Sequence, residues 1–445
     1  EGVDQVVLCG MGGSSLAPEV ICRCAGVPLT VLDSTHPDQV RAALDGDLAR
    51  TVVVVSSKSG GTVETDSQRR AFVAAFTAAG IDAARRVVVV TDPGSPFEQL
   101  AKDEGYRATF LADPHVGGRY SALTAFGLVP SALAGADVEQ LLAEAEALLP
   151  ALAEDGAALR LGAALGGSGR DKVVLDAGGS ALHGFGDWAE QLVAESTGKQ
   201  GKGLLPVVVE PDAPEVRSPA PDVHVVRVGG PAPDNGSSTE GALGAQFLGW
   251  EYAVAVAGRV LGIDPFDQPD VESAKKAARG LLDAQPEPAR PVFVDGAVEV
   301  YGTPGLLGQE STVEGAVAAL LATLVPTGYL AVMAYLDRLR DADLSAVRGA
   351  LARRTERPVT FGWGPRFLHS TGQYHKGGPP IGSFLQVTGL AEQDVAIPDR
   401  PFTFGTLIAA QAAGDAAVLA DHGRPVLRLH LTSRAGLDQV RKALG

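Results

Sequence analysis

A hydroxyl-rich turn is the part of this chain best suited to hold an anion. It reads Ser56-Ser57-Lys58-Ser59-Gly60-Gly61-Thr62-Val63-Glu64-Thr65, directly after the run Val52 to Val55 and ahead of a helical pattern. Hydroxyls on Ser57, Ser59 and Thr62, the ammonium of Lys58 and the free amides of a helix start would offer one phosphate both donors and a favourable dipole, with no magnesium or nucleotide needed. The alternative is an N-cap cluster, although a cap needs only one hydroxyl. A second loop, Gly10-Met11-Gly12-Gly13-Ser14-Ser15, also sits between a strand-like run and a helix. It suits a ligand cradle or an ordinary tight turn equally, and its spacing matches neither a dinucleotide fingerprint nor a P-loop.

Two further segments carry groups that could do the chemistry. Trp188, Leu192 and Val193 make a half-buried helix that Gly198 ends, which puts Glu195 in its last turn. The helix dipole disfavours a carboxylate there and can raise its basicity where water is scarce. The same spacing also suits an exposed Glu195 pairing with Lys199 at i,i+4. In Gly117-Gly118-Arg119-Tyr120-Ser121, paired glycines could press Arg119 against a ligand to stabilise an oxyanion, or leave it in a surface ion pair.

The elements around these segments alternate. Short β-branched runs at Val6 to Leu8, Leu29 to Leu32, Val52 to Val55 and Val87 to Val90 are separated by helix-like stretches such as Val63 to Ala79. That is the pattern of a parallel sheet covered on both faces. Ala132 to Leu165 is helical and bridges to a second series, Val173 to Leu175, Val207 to Val209 and Val223 to Val228. Strand followed by Gly-Gly-Ser occurs in both series, at Gly12 and at Gly178, a faint internal echo. We therefore expect an α/β fold of two doubly wound parallel-sheet domains, 1–150 and 151–288. A mixed C-terminal region, 289–445, would complete the second domain and the site.

Composition narrows the partners. The 445 residues carry a net charge of -16, which argues against a general nucleic-acid or anionic-membrane binder. Hydrophobic residues at 45% with 55 Gly and 29 Pro describe a globular chain rather than a disordered one. Cys9, Cys22 and Cys24 form neither a disulfide framework nor a spaced zinc site, which fits a reducing cytoplasm. Gly315 to Leu336 is uncharged and long enough to span a bilayer, but Pro326-Thr327-Gly328 interrupts it and it reads as two buried helices joined by a turn. The chain opens at Glu1 almost inside a strand-like run, which leaves open whether residues or a fused domain precede it.

Taken in order, the four segments resemble the phosphoglucose isomerase family, built from two sugar isomerase (SIS) domains. That family carries G-I-G-G-S, S-K-T-F-T-T-x-E-T, G-G-R-Y-S and Q-x-x-x-E-S-x-G-K, matched here at Gly10 to Ser14, Ser57 to Thr65, Gly117 to Ser121 and Gln191 to Lys199. A fifth segment, Asp264 to Lys275, resembles N-x-F-D-Q-x-G-V-E-x-x-K. The resemblance implies a cytoplasmic homodimer that interconverts glucose 6-phosphate and fructose 6-phosphate without metal or cofactor. It implies that Ser57, Lys58, Ser59 and Thr62 hold the phosphate, that Gly13 and Ser14 line the sugar, and that Gln191 and Gln268 contact the substrate. Glu195 would be the base, Arg119 the enediolate stabiliser and Lys275 a participant in ring opening.

The chain also departs from the family. The ring-opening histidine, which lies in a G-Q-H segment before the fifth motif, has no counterpart there, where His224 sits within a strand-like run. The nearest likeness is His369 to Gly378, similar to the isomerase portion of transaldolase and phosphoglucose isomerase fusions, and either His369 or His375 could serve. Gly60-Gly61 replaces a bulkier pair, so a dual glucose and mannose enzyme, an aminosugar phosphate isomerase or a non-catalytic sugar-phosphate regulator remain alternatives.

Overall fold

The computed structural model describes residues 2–153, 155–234, 236–269, 271–284 and 289–445, the side chains of 271–275, 283 and 284 excepted. Strands β1 (Gln5–Gly10), β2 (Thr30–Leu32), β3 (Thr51–Ser56), β4 (Val87–Thr91) and β5 (Ala108–Leu111) form a parallel sheet in the order β2-β1-β3-β4-β5. β3 and β4 are buried throughout, because helices cover both faces of the sheet: Phe72, Phe76 and Phe97 lie on one, Phe126 on the other. Burial on both faces is why valine runs here show no polar alternation. In this strand order the chain reverses direction across the sheet between β1 and β3, and ligands bind outside the carboxyl ends of strands at such a reversal. The two loops there are the Gly10 loop and the hydroxyl-rich turn.

A second parallel sheet, β6 (Lys172–Asp176), β7 (Leu205–Val209), β8 (Val223–Val228) and β9 (Ser237–Thr239), runs in the order β7-β6-β8-β9. The internal echo thus falls on equivalent strands, β1 and β6. The Phe185–Thr197 helix packs against the Leu243–Leu261 helix through Phe185, Trp188, Phe247 and Trp250, with the Trp188 and Phe247 ring centroids 4.6 Å apart. Each of these buried rings stabilises the fold by about 1.5–3 kcal/mol, and together they fix the helix that carries Glu195.

The third sheet is mixed. Its strands are β10 (Phe293–Asp295), β11 (Val298–Gly302), β12 (Tyr329–Tyr335), β13 (Val359–Trp363), β14 (Gly382–Gly389) and β15 (Val426–Leu431), ordered β10-β11-β15-β14-β12-β13. β10 and β11 form an antiparallel hairpin, while β12 to β15 are parallel. The expectation of two helices across Gly315 to Leu336 is half corrected. A helix spans Val313–Leu321, but Tyr329–Tyr335 is a fully buried strand. A short continuous apolar run looks alike in a buried helix and a central strand, and pairing with β13 and β14 on either side decides the state of β12. The Phe404–Asp421 helix ties the sheets together, with Phe404 and Leu407 in the core beside β1 and β3 and Ile408 and Ala412 in the core beside β12. Among the described residues no helix is long and apolar enough to cross a membrane.

Candidate active site

Backbone closeness sets the first wall of the site. β1 passes into a 3-10 turn, Gly12–Ser14, and a Cβ on Gly13 would stand 2.1 Å from the carbonyl oxygen of Gly118. Only glycine lets the Gly10 loop and the Gly117-Gly118-Arg119 loop touch in this way. The contact makes one shared wall of the two loops, with Ser14 buried behind it.

Arg119 is buried and every nitrogen of its guanidinium is used. Nε donates to Ser196 Oγ at 2.8 Å, Nη1 to Gln268 Oε1 at 2.7 Å, and Nη2 to the carbonyls of Pro265 and Asp267 at 2.7 and 2.9 Å. Nη1 also stands 3.2 Å from Glu195 Oε1. Gln191, one turn earlier on the same helix, donates to Glu195 Oε2 at 2.9 Å. Glu195 is only 9% exposed, so the carboxylate is held between a fixed cation and an amide in a place poor in water. Lys199 does not pair with it. Its Nζ donates to the carbonyls of Asp264 and Asp267 at 2.6 and 2.5 Å and to Asp267 Oδ1 at 2.5 Å, and burial lowers its pKa despite Asp267. Arg119 and Lys199 thereby pin the 264–268 segment, which brings Gln268 beside the carboxylate. The side chain of Lys275, farther along this segment, lies outside the described residues.

The histidines part company. His369 closes a 3-10 turn after β13. Its Nε2 is 2.9 Å from Glu64 Oε1 and its carbonyl accepts from Gln191 Nε2 at 2.8 Å, so it sits between the hydroxyl-rich turn and the Glu195 helix. His375 is packed in the core of the third sheet, its Nδ1 2.9 Å from the Tyr329 hydroxyl and its ring stacked on that tyrosine. Burial, with Lys376 and Arg424 nearby, pushes its pKa down to about 3. The structure brings His369 to the site and leaves His375 out of it.

In the turn after β3, Thr62 is the N-cap residue of the Val63–Ala78 helix, yet its side chain makes no capping bond. Its hydroxyl lies 2.9 Å from Ser57 Oγ instead. The hydroxyl of Ser59 accepts from the amide of Gly61 at 3.2 Å. Ser59, Gly61, Thr62, Glu64, His369 and Gln411 line a cavity of about 260 Å³. Gly60 has φ +64°, and a Cβ there would come within 2.9 Å of the Phe97 amide, whereas a Cβ on Gly61 would meet nothing closer than 3.8 Å. The glycine pair is therefore a backbone requirement at the first position and added room at the second. Lys58, expected among the phosphate donors, is turned aside, with Nζ 2.5 Å from Asp92 Oδ2 and 2.9 Å from the Pro114 carbonyl.

Three polar residues escaped the sequence reading. Glu64 accepts from Gln411 Nε2 at 2.7 Å, and Gln411 Oε1 in turn accepts from Thr35 Oγ1 at 2.6 Å. Glu64 stood inside the quoted turn, but an acid in a first helical turn is ordinarily a dipole partner. Nothing in spacing could join it to Gln411, 347 residues away. Among the described residues there is no group of three or more His, Cys, Asp or Glu that could hold a metal ion.

Comparison with known proteins points to one family. A sequence model described as phosphoglucose isomerase matches residues 1–155. A glucose-6-phosphate isomerase of Rubrobacter xylanophilus is 31% identical over 355 residues, covering 62% of this chain and 82% of the relative. A probable glucose-6-phosphate isomerase of Haloarcula marismortui is 38% identical over 214 residues, covering 46% of this chain and 49% of the relative, so the chain spans about half the length of that match. Among solved structures, a glucose-6-phosphate isomerase from Chlamydia trachomatis shares the fold at TM-score 0.53 and 22% identity, over 65% of this chain and 71% of that one.

Proposed function

This chain belongs to the phosphoglucose isomerase family, and we propose that it interconverts glucose 6-phosphate and fructose 6-phosphate through an enediolate, with Glu195 as the base. The observation that carries the reading is the buried Glu195 carboxylate, fixed 3.2 Å from Arg119 and linked through Gln191, His369 and Glu64 to the helix that follows the hydroxyl-lined turn. Glu195 takes the proton from C2 of the open aldose and returns it to C1. The enediolate between these steps gathers negative charge on O1 and O2, which the Arg119 guanidinium steadies without having to reorient.

The remaining roles follow from position. Ser57, Ser59 and Thr62 with the first amides of the Val63–Ala78 helix hold the phosphate, while Lys58 supports the turn through Asp92 rather than touching the anion. Gly13 and Ser14 back the sugar, and Gln191 and Gln268 orient Glu195 and Arg119 as they meet it. His369, its Nε2 occupied by Glu64, keeps Nδ1 for the ring oxygen or anomeric hydroxyl of the cyclic sugar. Lys275 is the second group for that step.

We further propose a three-part division near residues 150 and 288, one sheet to each part, and a cytoplasmic homodimer. Three unpaired cysteines support the compartment. Phe110 and Leu111, 42% and 47% exposed on the edge strand β5, support association. The test is turnover of fructose 6-phosphate to glucose 6-phosphate, compared with mannose 6-phosphate and glucosamine 6-phosphate. Conversion of fructose 6-phosphate is expected. Binding of all three without turnover would favour a sugar-phosphate sensor instead.

A further inference from the structure

The third sheet has a reversal of its own. β12 leads to β13 on one side, whereas β14 returns to the other side of β12 and β15 continues outward. The Val313–Leu321, Val347–Thr355 and Arg434–Leu444 helices cover one face and the Phe404–Asp421 helix the other. A crevice is expected outside the carboxyl ends of β12 and β14. A cavity of about 260 Å³ opens there, lined by segments 336–341, 389–392 and 431–434 and by His36 and Asp38 at the start of the Pro37–Leu44 helix of the first sheet. It shares no lining residue with the cavity at His369. At about 30 Å³ per water, it has room for roughly eight to nine waters or a small organic molecule.

The charges around it are unevenly satisfied. Asp341 is paired with Arg434, Asp38 with Arg41 at 2.6 Å, and Glu392 with Arg340 at 2.7 Å. Asp337, only 8% exposed, receives the amides of Leu339 and Arg340 on Oδ1 at 3.0 and 3.3 Å, but has no ion-pair partner among the described residues. His36 is 4% exposed, and its Nδ1 has no hydrogen-bond partner, the nearest carboxylate oxygen being Asp38 Oδ2 at 4.0 Å. Burial, with Arg340 acting the same way, outweighs the pull of Asp38, Asp337 and Asp341, so the imidazole is held neutral. A buried carboxylate without a counter-charge is costly, and Asp337 lines this cavity.

We propose that this crevice is a second ligand site, for a small organic molecule bearing a primary ammonium group. The ammonium supplies the missing cation to Asp337, and the neutral His36 ring beside it adds no competing positive charge. The other end of the ligand meets Thr432 and Ser433, whose hydroxyl is free of any capping bond at the start of the Arg434–Leu444 helix. Inorganic anions are disfavoured, because Asp337 is the one unbalanced charge.

Ligand-observed NMR on the full chain tests this with primary amines and their hydroxyl isosteres, trans-4-aminocyclohexanol against trans-1,4-cyclohexanediol leading the panel. Amines should bind at least about tenfold tighter than their isosteres. Asp337→Asn should erase that preference. Leu390→Trp should block binding altogether, since this side chain lines the cavity and, 70% exposed, can be enlarged without displacing the core. Neither variant should alter fructose 6-phosphate turnover. The proposal is overturned if no amine outbinds its isostere, if the preference survives Asp337→Asn, if binding survives Leu390→Trp unchanged, or if inorganic phosphate occupies the crevice instead.

Discussion

His369 Nε2 and Glu64 Oε1 lie 2.9 Å apart although 305 residues of chain separate them. Glu64 is itself fixed by Gln411, so the contact holds the imidazole in one tautomer and orientation and leaves its other nitrogen for the sugar ring. His369→Asn and Glu64→Gln should each lower kcat on the cyclic hexose phosphate by about 10²-fold, the lower end for one positioned acid or base. A four-carbon aldose phosphate, which has no pyranose ring to open, should be spared. Equal losses on both substrates would place His369 in the proton transfer rather than in ring opening.

His375 makes the opposite prediction. Replacing it with Phe leaves the buried Tyr329 hydroxyl without its partner, at a cost of about 1–3 kcal/mol in urea unfolding. Its kcat/KM should stay within a factor of two or so of the parent's, because the ring reaches no part of the site.

Acid stability should fall in two stages. Burial holds His375 well below the usual 6.5, at about 3, so on acidification the unfolded chain takes up a proton first. That contribution is complete above pH 6.5 and lost as the pH drops towards 3. For Glu19, burial pushes its pKa up, but the guanidinium groups of Arg366, Arg338 and Arg23 prevail and bring it from 4.5 to about 2. This contribution, about 3 kcal/mol, is complete above pH 4.5 and lost towards pH 2. Arg366 and Arg338 come from the third sheet's loops, so the lower stage reports the seam with the first sheet. Urea midpoints between pH 8 and 3 should show both stages, with His375→Phe flattening the upper and Glu19→Gln the lower.

The anion turn can be divided by substitution. Thr62→Val removes a hydroxyl that no cap uses and should raise KM about tenfold, equivalent to one hydrogen bond to a charged group. Lys58→Met should change KM less than about threefold, since its ammonium is engaged by Asp92 and Pro114. A larger effect of Lys58 than of Thr62 would reverse their assigned places.

What the sequence disclosed was local. β-branched runs marked β1, β3, β4, β6, β7 and β8 because strands buried on both faces leave no polar alternation to misread. The hydroxyl turn, Arg119 and Glu195 each stand at the end of such an element, where the flanking glycines announce them. β12, β14 and β15 were hidden, since Tyr329–Tyr335 has the composition of a buried helix until its neighbours pair with it. The partners of Glu64 were hidden for a related reason: Gln411 reaches it only because the Phe404–Asp421 helix packs against two sheets at once. Spacing could not separate His369 from His375, six residues apart, because one lies at the edge of a core and the other inside it.

The central claim is that the Glu195 carboxylate moves the proton between C1 and C2. Its most direct test is kcat of Glu195→Gln for fructose 6-phosphate, with binding of the same sugar phosphate measured by calorimetry. The account predicts a fall of about 10²- to 10⁴-fold in kcat with Kd changed by no more than a few-fold. An unchanged kcat, or a loss of binding that accounts for the whole defect, would contradict it.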